Sequence, residues 1–162
     1  MAAVVPPSEP LGGYLNDHLT GSVVALELIG KLRSTNGGTP LGAFLDELEV
    51  DVQADRASLE QAMDSLGVSQ GTIRRAGGWM LEKASRIKFD EHVTGSPHLS
   101  RLMELEALSL GIEGKLRGWR ALKELSDQRV DVDLDALMQR ASDQGARLEP
   151  FRVEAARRAF AD

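Results

Sequence analysis

From Tyr14 to Phe160 apolar side chains recur at the three- and four-residue spacing of an α-helix, and clusters of breakers divide the pattern into five segments. The first runs from about Tyr14 to Arg33 and stops at Ser34-Thr35-Asn36-Gly37-Gly38. Thr39 is placed to cap the second, with Pro40 at the first helical position, where its missing N–H costs nothing. Gly67 offers a stop just after Leu66. Ser69 can cap a third segment, from about Gln70 to Lys88, and Asp90 to Gly95 reads as a loop. Ser96 and Pro97 open a fourth segment that continues to about Leu125, and Asp133 can cap a fifth running toward Phe160. Pro150 lies inside that last segment and predicts a kink or two abutting helices. Residues 1–13, with Pro6, Pro7, Pro10, Gly12 and Gly13, read as an irregular arm, leaving 14–162 as one bundle domain.

Four segments carry a broad apolar stripe when turned by about 100° per residue. On the second it comprises Leu41, Phe44, Leu45, Leu48, Val52, Leu59, Ala62, Met63 and Leu66. On the first it includes Leu15, Leu19, Val23, Leu26 and Ile29; on the fifth, Leu134, Leu137, Met138, Ala141, Leu148, Ala155 and Ala159. The third segment is poorer, with Ala76, Gly77 and Ala84 on its inner face. Two long helices, a weaker helix and two more long helices predict an all-α, antiparallel four-helix bundle, with a fifth helix as crossover between the second and third long helices.

Composition narrows the function classes. Leu, Ala and Val dominate the apolar content and aromatics are only 4%, which suits helix-on-helix packing better than a β-sandwich. A formal charge of −6 disfavours nucleic acid and anionic membranes as partners. Without cysteine there is no disulfide, thiolate or zinc–sulfur chemistry. The first residues lack the basic and long apolar regions of a signal peptide, and no apolar run approaches a membrane span, so the expected address is the cytoplasm. No phosphate-binding glycine turn and no Ser or Cys nucleophile motif is present.

The sharpest chemical signal is polar residues where apolar ones belong. On the fourth segment Glu104, Gly111, Lys115 and Gly118 share one narrow face, which reads as the wet one. Roughly opposite, between two apolar flanks, fall Glu106, Ser109, Glu113 and Arg117. Glu106 and Glu113 are seven apart, so their carboxylates point the same way, and a buried carboxylate needs a partner. His18, Asp55 (with Asp51 at its edge), Arg120 and Arg152 are placed inward on their segments, with Glu27 at a border. The expected buried polar cluster is therefore His18, Asp55, Glu106, Glu113, Arg117 and Arg152, self-neutralised through pairs such as Glu113–Arg117, Glu106–Arg152 or Asp55–His18. A metal is not expected, because guanidinium groups outnumber the single plausible imidazole ligand. Were one present, Glu27, Asp55, Glu106, Glu113 and His18 would supply the ligands, with iron or manganese favoured by oxygen donors. His92, His98, Trp79 and Trp119 read as surface or packing residues.

Three stretches resemble an uncharacterised bacterial family of the ferritin-like superfamily: Tyr14-Leu-Asn-Asp-His-Leu-Thr-Gly21, Ala76-Gly-Gly-Trp-Met-Leu-Glu-Lys83, and Leu105 to Lys115. The resemblance implies a ferritin-like bundle over nearly the whole chain. For the superfamily at large it also implies a di-iron site, with a Glu from each of two helices and a Glu-x-x-His from each of the others. No Glu-x-x-His occurs here; the last segment has Glu149-x-x-Arg152 and Glu154-x-x-Arg157 instead. The expectation is a non-catalytic ferritin-like bundle without cofactor, acting through protein–protein contacts, with a homodimer as one form of contact. The alternative is an iron- or manganese-dependent redox protein with a degenerate site.

Overall fold

The computed structural model describes residues 9–70, 95–125 and 130–161, and among these every regular element is helical. Four long helices account for nearly all of them: α1 (Glu9–Ser34), α2 (Pro40–Ser65), α3 (Pro97–Lys123) and α4 (Leu134–Phe160). At 26 or 27 residues each, they are about 40 Å long. The capping chemistry follows the sequence: Thr39 Oγ1 accepts from Gly42 N at 3.0 Å, Ser96 Oγ from Leu99 N at 3.4 Å, and Asp133 Oδ1 from Ala136 N at 3.0 Å. Gly67 adopts a φ of 69°, the left-handed turn that ends a helix.

One boundary differs from expectation, and of the two readings of Pro150 the pair of abutting helices is not found. α1 begins at Glu9 and not at Tyr14, so Pro10, Gly12 and Gly13 belong to the helix and not to an arm. Pro10 lies in the first turn, where backbone N–H groups have no intrahelical partner to lose. α4 runs through Pro150 as one helix, with that proline on its exposed side. The expected crossover helix, Gln70 to Lys88, and the residues His92 and Trp79 lie outside the described residues, apart from Gln70 itself.

Each helix is antiparallel to both of its neighbours. Arg33 meets Asp46 across α1 and α2, and Lys31 meets Glu104 across α1 and α3. Glu47 meets Arg147 across α2 and α4, and Glu106 meets Arg152 across α3 and α4. α2 and α3 therefore run in the same direction, and the end of α2 lies at the opposite end of the bundle from the start of α3. No described helix is long and apolar enough to cross a membrane.

The core is divided in two. One apolar cluster centres on Leu15, Leu19, Met63, Trp119, Leu122 and Leu137 at one end. The other centres on Ile29, Leu32, Phe44, Leu45, Leu105 and Leu148 at the other end. The waist between them is where the polar residues gather.

The orientation of α3 corrects the sequence reading. Its buried stripe is Leu102, Leu105, Leu108, Ile112, Leu116, Trp119 and Leu122, so one of the two apolar flanks is itself the inward face. Glu106, Glu113 and Arg117 consequently stand exposed, as does Arg120, whereas Glu104 and Gly118 are buried and Lys115 is half-buried. The reason is that α3 has two apolar flanks and the bundle can bury only one: Met103 and Leu110 on the second face solvent. Replacing Leu105, 1% exposed, with Ala should cost about 2–5 kcal/mol, while Leu110→Ala should fall within about 0.5 kcal/mol of wild type in urea unfolding. Equal costs would mean that α3 is turned the other way.

Candidate functional site

At the waist, Asp55 on α2 is 3% exposed, and a carboxylate so placed must be answered by cations or strong donors. It is answered from the two helices it faces. Lys115 on α3 places Nζ 2.5 Å from Asp55 Oδ2. Arg140 on α4 donates from Nε to Asp55 Oδ1 at 2.7 Å and again from Nη2 to the same oxygen.

Gln144, one turn further along α4 and also buried, closes the network. Its Oε1 accepts from Lys115 Nζ at 2.5 Å, and its Nε2 donates to Asp51 Oδ2 at 3.2 Å and to Asp55 Oδ2 at 3.4 Å. Asp55 thus meets two cations, Lys115 and Arg140, while Asp51 accepts from the Gln144 amide. Burial lowers the Lys115 pKa from its ordinary value and outweighs the opposing pull of Asp55.

Beside this network lies a partly open cavity of about 130 Å³ between α1, α2 and α3. α1 contributes Leu15, His18, Gly21, Ser22 and Ala25; α2 contributes Val52, Asp55, Arg56 and Leu59. α3 contributes Leu108, Ile112, Lys115, Trp119 and Leu122 together with Gly111, Gly114 and Gly118. Most of the wall is apolar, and Asp55 and Lys115 tie it to the ion-pair network.

The glycines decide its shape. Each glycine inside a helix costs about 1 kcal/mol relative to alanine. Gly118 has a packing reason, since a Cβ there would come within 2.9 Å of the His18 ring. Gly21, Gly111 and Gly114 have none: a Cβ on any of them would meet nothing within 4 Å. All three line the cavity.

His18 lies across Gly118 with its ring edge-on to Tyr14, the centroids 4.6 Å apart. Neither ring nitrogen has a hydrogen-bond partner among the described residues. Burial pulls its pKa below the ordinary 6.5, opposed by the charge of Asp17. Trp119, 3% exposed, has an indole Nε1 with no hydrogen-bond partner among the described residues.

The structure therefore brings His18 and Asp55 to one cavity but does not pair them. The Glu113–Arg117 and Glu106–Arg152 pairs form, at 2.9 and 3.4 Å, on the solvated face of the bundle. Arg152 is also held by Glu149 at 2.7 Å. Lys115, Arg140 and Gln144 take the roles expected of Glu106, Glu113 and Arg152. Gln144 was legible, because it falls on the stripe Leu137, Ala141, Leu148 of α4.

A second buried carboxylate, Glu104 on α3, is paired with Lys31 of α1 at 2.8 Å and Arg101 at 3.5 Å. Arg101 also donates to Thr35 Oγ1 at 3.1 Å, pinning the end of α1 to α3.

The candidate donors among the described residues do not assemble as a di-iron centre would require. Glu27, Glu106 and Glu113 are exposed, and Asp55 has both oxygens engaged by cations. Among the described residues no three His, Asp or Glu side chains converge as a metal would require. No family model, curated protein or solved structure matches this chain.

Two outcomes follow for the waist. Asp55→Ala leaves Lys115 and Arg140 without their counter-charge and should cost about 3–5 kcal/mol in chemical denaturation; a cost below about 1 kcal/mol would mean an exposed pair. The second concerns acid. Because the folded pKa of His18 is lowered, the unfolded chain takes up its proton first as pH falls through 6.5, and folded stability drops. The loss of stability between about pH 7.5 and pH 5.5 should be smaller in His18→Gln than in wild type. Identical slopes would contradict the burial of this ring.

Proposed function

We propose that this chain is a non-catalytic ferritin-like helical bundle that works by contact with protein, a second copy of itself first among the partners. Ion pairs hold its waist in the place where a metal centre would sit. The observation that carries this reading is the pairing of both Asp55 oxygens with Lys115 and Arg140. A carboxylate already neutralised by two fixed cations has no charge left to attract a third.

The helix directions support the ferritin-like part of the reading. A bundle whose second and third long helices run in the same direction has the order of folds with one long crossover connection. The contact surface is proposed on the outer side of α3. Met103 and Leu110 are seven residues apart on one face, and Leu110 is 74% exposed.

Metal analysis of protein purified without chelators, together with sedimentation over a wide concentration range, tests both halves. Iron and manganese should be far below one per chain, and a dimer should build with concentration. Leu110→Lys should shift that equilibrium at least tenfold toward monomer, the equivalent of about 1.4 kcal/mol. Stoichiometric iron or manganese would overturn the non-catalytic reading, and monomer throughout would overturn the contact.

A further inference from the structure

We infer that the waist cavity is a binding site for a small, uncharged, largely apolar molecule bearing one hydroxyl or carbonyl group, with His18 as its hydrogen-bonding partner. The inference rests on the reading of the waist as self-neutralised but adds a ligand to it.

Four observations converge on this site. The first is space: about 130 Å³, where an apolar cavity of roughly 150 Å³ is known to hold a benzene ring. That excludes a helix or a peptide and suits a single small ring or a short branched chain. The second is how the space is made. Gly21, Gly111 and Gly114 weaken their helices, and no neighbouring atom in the fold requires them to be glycine. Alanine at the three positions would strengthen both helices and narrow the cavity.

The third observation is charge. Lys115 and Arg140 are both engaged by Asp55, Asp51 accepts from the Gln144 amide, and Arg56, on the cavity wall, is occupied by Glu60 at 3.1 Å. A charged ligand would lose its hydration without gaining a free counter-charge. The fourth is the unused hydrogen-bonding capacity of the wall. The imidazole of His18 has no partner for either nitrogen among the described residues, and its burial favours the neutral ring, which both donates and accepts. Trp119 gives the wall its indole ring, although its N–H, without a partner among the described residues, is itself shut off from open space. A mainly apolar cleft with few convergent polar groups is the form that small-molecule sites take.

Titration of the full chain with p-cresol, followed by calorimetry and by the NMR signals of the His18 ring and the Trp119 indole, tests the inference. Toluene and benzoate serve as comparisons of similar size, one lacking the hydroxyl and the other charged. Binding of p-cresol should saturate, move both signals, and exceed that of toluene about tenfold, the equivalent of one hydrogen bond. Benzoate should bind more weakly than either.

His18→Phe should abolish the advantage of p-cresol over toluene while leaving toluene bound. Gly111→Leu, which fills the cavity from an open position, should abolish both. Saturable binding unaffected by Gly111→Leu, tighter binding of benzoate, or an unmoved His18 signal would each overturn the inference. Thermal unfolding of both variants identifies any loss due to misfolding; a misfolded Gly111→Leu would be replaced by Gly111→Val, with the same outcome required. Metal content and sedimentation are untouched by this result, so failure here leaves the self-neutralised bundle standing and refutes only the ligand.

Discussion

The structure depends on one buried carboxylate. Asp55 sits between two apolar clusters, at the level where α2 faces α3 and α4, and its charge cannot be left uncompensated there. Lys115 and Arg140 reach it from separate helices, and Gln144 links lysine to carboxylate. These contacts fix the register of three helices at once, which shape-tolerant Leu and Ala packing does not do by itself. Sliding α4 by one turn would leave an unpaired charge on each side of the interface.

α1 stands outside that lock. It is held to α2 at one end by Arg33 with Asp46 and Glu49, and to α3 by Lys31 on the buried Glu104. At the waist it offers no charge to the network, only a neutral imidazole, Ser22 and small residues. The cavity opens where α1 and α3 meet across glycine, so the same level of the bundle holds its most tightly specified contacts and its emptiest space. The charged half gives the hollow half its walls: Lys115 and Asp55 belong to both.

Much of this was legible in the chain. Helix caps at Thr39, Ser96 and Asp133, the stop at Gly67 and the inward stripes of α2 and α4 follow from local spacing, and local physics decides them. Asp55 was legible too, because it interrupts an otherwise apolar stripe. The face of α3 was not. Its sequence has two apolar flanks and charged residues in both gaps between them, so periodicity cannot say which flank is buried. The choice is made by partners far away in sequence: Lys115 needs Asp55, 60 residues earlier, and Glu104 needs Lys31. Arg140 was missed for the same reason, since an arginine beside a helix stripe looks solvated until a carboxylate is found opposite it. The start of α1 was missed because Pro10, Gly12 and Gly13 read as breakers, although a proline in a first turn breaks nothing.

The most direct measurement of the central claim is a double-mutant cycle between Asp55 and Lys115, using Asp55→Ala, Lys115→Met and both together in equilibrium unfolding. If Asp55 is neutralised inside the bundle, the double variant should be clearly more stable than the two single losses sum to, with a coupling above the ~1 kcal/mol reached by exposed pairs. Additive losses would mean that the two charges do not meet, and the account of the waist would fall with them.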